Sequence, residues 1–157
     1  MTNYLKDLKL FKELKTDELS KLSAICKEKN FKKGDVIFSK DDIATELYIL
    51  KEGECEVKAA LGGPTEYFTL FRLKGEQIFG EIGFLEGKKR TATVKCAKDS
   101  KTLIIKRKDF DKLVEEHPKI GLMAFKNLSK MLAERLRSMD DQVGNFFNTR
   151  SSSGRLF

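Results

Sequence analysis

The 157-residue sequence predicts a mainly β protein with flanking helices, its middle folding as a sandwich or jelly-roll barrel of eight short strands. Two patterns carry this expectation. From Phe31 to Ile105, short β-branched and aromatic runs are cut at regular intervals by glycine and acidic turn residues. On either side of that stretch, apolar residues recur at spacings of three and four, the period of a helix face. The length suits one domain with a full core, and 40% hydrophobic with 35% charged residues are ordinary proportions for a soluble globular chain.

At the N-terminus, Leu5, Leu8, Phe11 and Leu14 predict a short helix and a packed turn. Thr16 is the expected N-cap of a second helix reaching about Lys27, with Asp17 and Glu18 in its first turn to favour the dipole. Leu19, Leu22, Ile25 and Cys26 form its buried stripe.

The strands follow. Phe31 leads to the break at Gly34-Asp35, and Val36-Ile37-Phe38 is the next strand. Leu47-Tyr48-Ile49-Leu50 is apolar on both faces and therefore central. Glu54 to Ala59 alternates, with Cys55, Val57 and Ala59 inward. Leu61 to Thr65 is a hairpin tip and Tyr67 to Leu73 a further strand. Ile78-Phe79, Thr91 to Ala97 and Thr102 to Ile105 complete the set.

The last third turns helical. Phe110, Leu113 and Val114 mark a helix ending at His117-Pro118, where proline opens the next. That long helix runs from about Lys119 to Phe146, with Leu122, Phe125, Leu128, Leu132, Leu136, Met139 and Val143 near a coiled-coil repeat. Its first half is expected to lie on the barrel; its second extends too far to be covered, which predicts a homodimer seam. The residues from Asn148, with their Ser151-Ser152-Ser153-Gly154 run, read as a loose tail.

Chemistry concentrates between Phe79 and Val94. Gly80 precedes Glu81 and one apolar helical turn, and a Gly87-Lys88-Lys89 loop delivers Arg90 and Thr91. The start of such a turn offers free backbone N–H groups to an anion, and a guanidinium forks onto phosphate oxygens. Glu81 is an acceptor suited to a sugar hydroxyl. Together these fit a nucleotide monophosphate, although many β proteins carry a glycine turn and a surface Glu–Arg pair with no ligand.

Other chemistries find no support. His117 stands alone at a helix end, and no second histidine or clustered cysteines make a zinc or iron–sulfur set. No serine or threonine has a base at readable spacing, so no enzyme is expected. Gly80 and Gly83 lack the βαβ setting of a dinucleotide fingerprint. The net charge of +7 invites a nucleic-acid reading, but lysines and arginines are interleaved with acids, as on a solvated surface. No apolar run approaches a membrane span, Met1 to Lys6 lack a secretion signal's apolar core, and three scattered cysteines read as free thiols. A cytoplasmic protein is expected.

Phe79, Gly80, Glu81, Ile82, Leu85, Arg90, Thr91, Ala92, Thr93 and Val94 fall, without a gap, on the pattern of the phosphate-binding cassette of the cyclic-nucleotide-binding domain. The stretch resembles that cassette as found in catabolite activators, protein kinase A regulatory subunits and cyclic-nucleotide-gated channels. The turn glycines 34, 53 and 75 and the Leu10-Phe11 opening extend the resemblance over nearly the whole chain. It implies a roll at residues 31–106 between N-terminal helices at 1–30 and C-terminal helices at 107–146, with a flexible tail at 147–157.

The same likeness implies the site. Arg90 pairs with the cyclic phosphate, aided by the backbone of Ile82 and Gly83 and by the Thr91 hydroxyl. Glu81 accepts from the ribose 2′-hydroxyl, Gly80 supports the sugar, and Phe79 and Ala92 complete the cassette. Val57 and Leu70 wall the base, and Arg135, Met139 and Asp140 form a lid, across a dimer in one version. Lys89 replaces a frequent proline and Gly83 an alanine of the kinase version; neither removes a ligand contact. Cyclic AMP is favoured over cyclic GMP, no other cofactor is implied, and the C-terminal helices move to signal to an unnamed downstream protein. An empty site is expected to leave Arg90 without a partner and its loop mobile. The alternatives are a ligand-free dimerisation or docking module, or a truncated catabolite-activator-type transcription regulator, since Ala133 to Asn145 resembles that family's dimer helix; no direct DNA or membrane contact is expected.

Overall fold

The computed structural model describes residues 1–60 and 67–153. In chain order its elements are α1 (Thr2–Asp7), α2 (Thr16–Ile25), β1 (Cys26–Phe31), β2 (Val36–Phe38), β3 (Glu46–Glu52), β4 (Glu54–Ala60), β5 (Tyr67–Lys74), β6 (Gln77–Phe79), α3 (Glu81–Glu86), β7 (Thr93–Cys96), β8 (Ser100–Lys106), α4 (Arg107–Glu116) and α5 (Pro118–Ser153). The strands form two four-stranded antiparallel sheets, ordered β1-β8-β3-β6 and β2-β7-β4-β5. The expected jelly-roll architecture with flanking helices and a long last helix is present. The hairpin tip expected at 61–65 lies outside the described residues.

Alternation decides which side chains meet. Leu47 and Ile49 point from one face of β3 to the helices, joining Leu103 and Ile105 of β8 and Leu19, Leu22, Phe110 and Ile120. Tyr48 and Leu50 point from the other face into the roll, with Cys55, Val57, Leu73, Phe79, Val94 and Cys96. The strand between β8 and β6 is thus buried on both sides, as its unbroken apolar run foretells.

Three boundaries differ from the sequence reading. The second helix stops at Ile25, and Cys26 begins a strand paired with Ile105. Four of that strand's six residues are exposed, so its polar sequence hides a sheet edge. Lys15, not Thr16, is the N-cap, because its own N–H is taken by the Glu18 carboxylate at 2.7 Å. The last helix runs on to Ser153 through the stretch expected as tail, and residues 154–157 lie outside the described ones.

α5 also turns a different face inward. Ile120, Ala124, Asn127 and Leu128 are buried, and Asn127 donates to the Leu10 carbonyl at 3.0 Å. Lys119 and Lys126 pair with Glu18 and Glu13, fastening α5 to the N-terminal segment. Of the stripe expected to cover the barrel, Leu128 is buried and Leu132 half-buried, whereas Leu122 and Phe125 are exposed. The helix therefore has two apolar faces, one facing its own chain and one facing outward.

Candidate functional site

β6 delivers Phe79 between the rings of Tyr48, at 5.2 Å, and Phe38, at 6.1 Å. The chain then turns sharply at Gly80, whose φ of +73° lies in the left-handed region. A Cβ there would stand 2.6 Å from Arg90 Nη1, so the position needs glycine twice over. Glu81 opens α3 and is 4% exposed, while Ile82 points partly to solvent. Gly83 lies against Ala44, where a Cβ would meet that residue's own at 2.6 Å.

Arg90 folds back beneath this turn. It is 4% exposed, donates from Nη1 to the Gly80 carbonyl at 2.8 Å and from Nη2 to the Glu46 carbonyl at 2.7 Å. Its Cζ stands 4.1 Å from the Phe38 ring centre and 5.5 Å from that of Tyr48. The Nε proton is buried without a hydrogen-bond partner. Among the described residues, no carboxylate forms an ion pair with this cation. Burial lowers its pKa, and electrostatic attraction to the Tyr48 oxygen and to Glu46, Asp42 and Glu81 opposes that fall. Tyr48 shifts upward, through burial first and then its 2.5 Å donation to Glu46 Oε2, and so keeps its proton.

The guanidinium expected to lack a partner has no anion, yet it is not bare. Two carbonyls hold the side chain, and the backbone is pinned on both sides: Arg90 N–H donates to Asp42 at 2.8 Å, and Asp41 N–H donates to Arg90 at 3.0 Å. Glu81 has a different partner. Arg135 of α5 donates from Nη1 to Glu81 Oε1 at 2.5 Å and from Nη2 to the Ile78 carbonyl at 2.5 Å. These side chains, with Ile78, Leu128, Met131 and Leu132, line a crevice too tight to admit a water molecule. It leaves no room for a ligand, whose pockets begin at ~300 Å³. A larger open groove, about 880 Å³, runs between Ile43 and the lysines at the start of α4, but it holds neither Glu81 nor Arg90.

The remaining residues fall into place unevenly. Ala92 is buried below Arg90, and Thr91 is exposed beside it. Val57 is buried on the inner face, directly opposite Phe71. Leu70 is not in that row. The register steps from Val57↔Phe71 to Lys58↔Thr69, which leaves Leu70 as the extra residue of a bulge, 48% exposed. The inward positions of β5 belong instead to Phe71 and, opposite Ala59, Phe68, both half-exposed. Of the residues expected as a lid, Arg135 reaches Glu81 of the cassette, Met139, one turn on, is 60% exposed, and Asp140 is exposed. Phe38, Tyr48 and the Glu46 carbonyl, which cradle Arg90, carry no readable signal, being distant in sequence and ordinary core or strand residues.

Among the described residues, no cluster of three or more acids, cysteines or histidines is arranged for a metal, and no helix is long and apolar enough to cross a membrane. A family model described as "Cyclic nucleotide-binding domain" matches residues 28–117. The chain is 28% identical over 126 residues to the human cyclic nucleotide-gated channel beta-1, covering 78% of this chain and 10% of that one. It spans about a quarter or less of the length of the curated relatives it matches. The solved catabolite activator protein of Thermus thermophilus is similar with a TM-score of 0.73 at 26% identity, covering 88% of this chain and 63% of its own. A cyclic nucleotide-binding domain from Methylobacillus flagellatus shares the fold with a TM-score of 0.81 at 17% identity, over 90% of this chain and 83% of its own.

Proposed function

The chain belongs to the cyclic nucleotide-binding domain family, and from that premise we propose that it is a non-catalytic regulatory module that binds a cyclic nucleotide and signals through α5. One observation carries the reading: Arg90 is a buried cation with carbonyls and ring faces around it and no anion. Burying a charge costs several kcal/mol unless it is paired. A cyclic phosphate supplies the missing charge to the guanidinium, with the Thr91 hydroxyl and the amides of Ile82 and Gly83 beside it. Phe79, Gly80 and Ala92 hold the cassette in shape around these groups. The ribose 2′-hydroxyl donates to Glu81. Val57 and the inward rings of Phe71 and Phe68 face the base. Cyclic AMP is the favoured ligand, on the likeness to catabolite activators, and cyclic GMP the alternative.

Arg135 gives the module its output. Since it holds Glu81, a sugar that takes the carboxylate must displace or share this contact, and α5 feels the change. Ligand binding then shifts α5 between two placements by whatever affinity differs between them. Met139 and Asp140 extend the same helix as the lid.

The outward face of α5 suits a second copy. Leu122, Ser129, Leu136 and Val143 take the a positions of a heptad, and Phe125, Leu132 and Met139 the d positions. The partner downstream docks on this helix, in the cytoplasm.

A second reading has its own support: the tight crevice and the Arg135–Glu81 pair suit a docking module that binds no nucleotide. Thermal melting separates the two. Excess cyclic AMP or cyclic GMP at about a hundredfold over Kd adds ~2.7 kcal/mol, a rise of several degrees. A melting temperature indifferent to both nucleotides supports docking alone.

A further inference from the structure

Cys55 of β4 and Cys96 of β7 are directly opposed in the β2-β7-β4-β5 sheet, with their sulfurs 3.8 Å apart. The hydrogen bonding around them fixes the kind of pair. Cys96 N–H donates to Asp35, and the Cys96 carbonyl accepts from Gly34, both at 2.8 Å on the side of β2. A strand residue aims both backbone groups the same way, so none is left for β4. The next contact to β4 is Ala97 N–H to the Glu54 carbonyl at 2.8 Å. Cys55 and Cys96 thus form a non-hydrogen-bonded pair, in which Cα atoms approach to ~4.5 Å and side chains come closest. Disulfides accept Cα separations of about 4.4 to 6.8 Å. The backbone already stands where a bridge can close.

We propose that Cys55 and Cys96 are a modification site, which an oxidant of the peroxide class converts to a disulfide joining β4 to β7. One thiol, deprotonated, attacks a peroxide oxygen; the O–O bond breaks, giving a sulfenic acid and water. The second sulfur attacks the first, the S–S bond forms, and the sulfenic oxygen leaves as water. The thiols lose two hydrogens and two electrons, and the peroxide becomes two waters.

The surroundings set the rate. Both side chains are nearly or fully covered, and the Cys55 thiol meets the Ser100 hydroxyl at 3.7 Å. Burial pushes the Cys96 thiol up to about 12 and raises that of Cys55 as well. Reaction therefore waits on opening of the sheet, whose strand beside β7 is the three-residue β2. Once closed, the bridge fastens the strand bearing Val57 to the strand that follows Arg90, Thr91 and Ala92. It does not depend on a nucleotide being bound.

The test is oxidation of the full, folded chain with hydrogen peroxide, followed by intact mass and non-reducing peptide mapping. The expected result is loss of two hydrogens, a Cys55–Cys96 linked peptide and full reversal by dithiothreitol. Cys26→Ser keeps the bridge, Cys96→Ala abolishes it, and the oxidised wild type melts higher than the reduced protein. A bridge to Cys26, single cysteines carried to sulfinic acid, pairing that needs denaturant, or a lower melting temperature after oxidation would overturn the proposal. Those outcomes would leave the two thiols as core packing.

Discussion

At the scale of single residues, the site is a problem of where one cation can rest. Arg90 is held by the carbonyls of Gly80 and Glu46 and by two aromatic faces, an arrangement that fixes the guanidinium without neutralising it. Gly80 makes this possible by turning through left-handed space and leaving room for Nη1. Gly80→Ala forces about 1 to 2 kcal/mol of backbone strain and pushes Arg90 aside, so the melting temperature should fall by about 5 °C. Differential scanning calorimetry checks it, and an unchanged melting temperature contradicts the account of this turn. The cassette was legible because its residues are contiguous and each chemical type recurs at a fixed offset. The cradle was not, since Phe38, Tyr48 and Glu46 reach Arg90 only through the roll's closure.

At the scale of elements, α5 joins two surfaces. Its inner face is fastened to α2 and the N-terminal segment, and Arg135 carries it to Glu81. Its outer face exposes Leu136, Met139 and Val143 at heptad spacing. Leu136→Asp, placed on the outer face away from the cassette, should weaken self-association roughly a hundredfold, about 3 kcal/mol. Sedimentation equilibrium reads this directly; a wild-type monomer at high concentration, or a variant as dimeric as its parent, removes the seam. Sequence periodicity found the helix but merged its two apolar faces into one stripe. A 36-residue helix satisfies a core pattern and a seam pattern at once, and only packing separates them. β5 shows the same limit: one extra residue at Leu70 passes the inward role to Phe71, and no local signal announces a bulge.

For the whole molecule, ion pairs fasten the sheets and helices from outside. The Glu54 carboxyl is held below its usual range by its contact with Lys98 and then by Arg72. Lys126 lowers Glu13, the Lys15 backbone and then Lys119 lower Glu18, Lys51 lowers Glu28, and Lys32 lowers Asp99. A depressed carboxyl stabilises the fold above its unfolded pKa, and that contribution is lost as pH falls through the folded one. Stability should therefore hold from neutral pH down to about 5 and decline below it, less steeply in high salt. A melting temperature that rises on acidification would contradict this. The global architecture was legible from strand spacing and turn glycines, yet β1 was begun only at Phe31, because a solvent-facing edge strand needs few apolar residues and Cys26 to Asn30 give little signal. What unites the scales is a nucleotide phosphate completing Arg90. Calorimetric titration of cyclic AMP into the wild type and Arg90→Ala tests it most directly: the account predicts saturable binding weakened by about 3 kcal/mol, roughly a hundredfold, in the variant. No binding heat in a folded wild type, or equal affinity in the two, would contradict it.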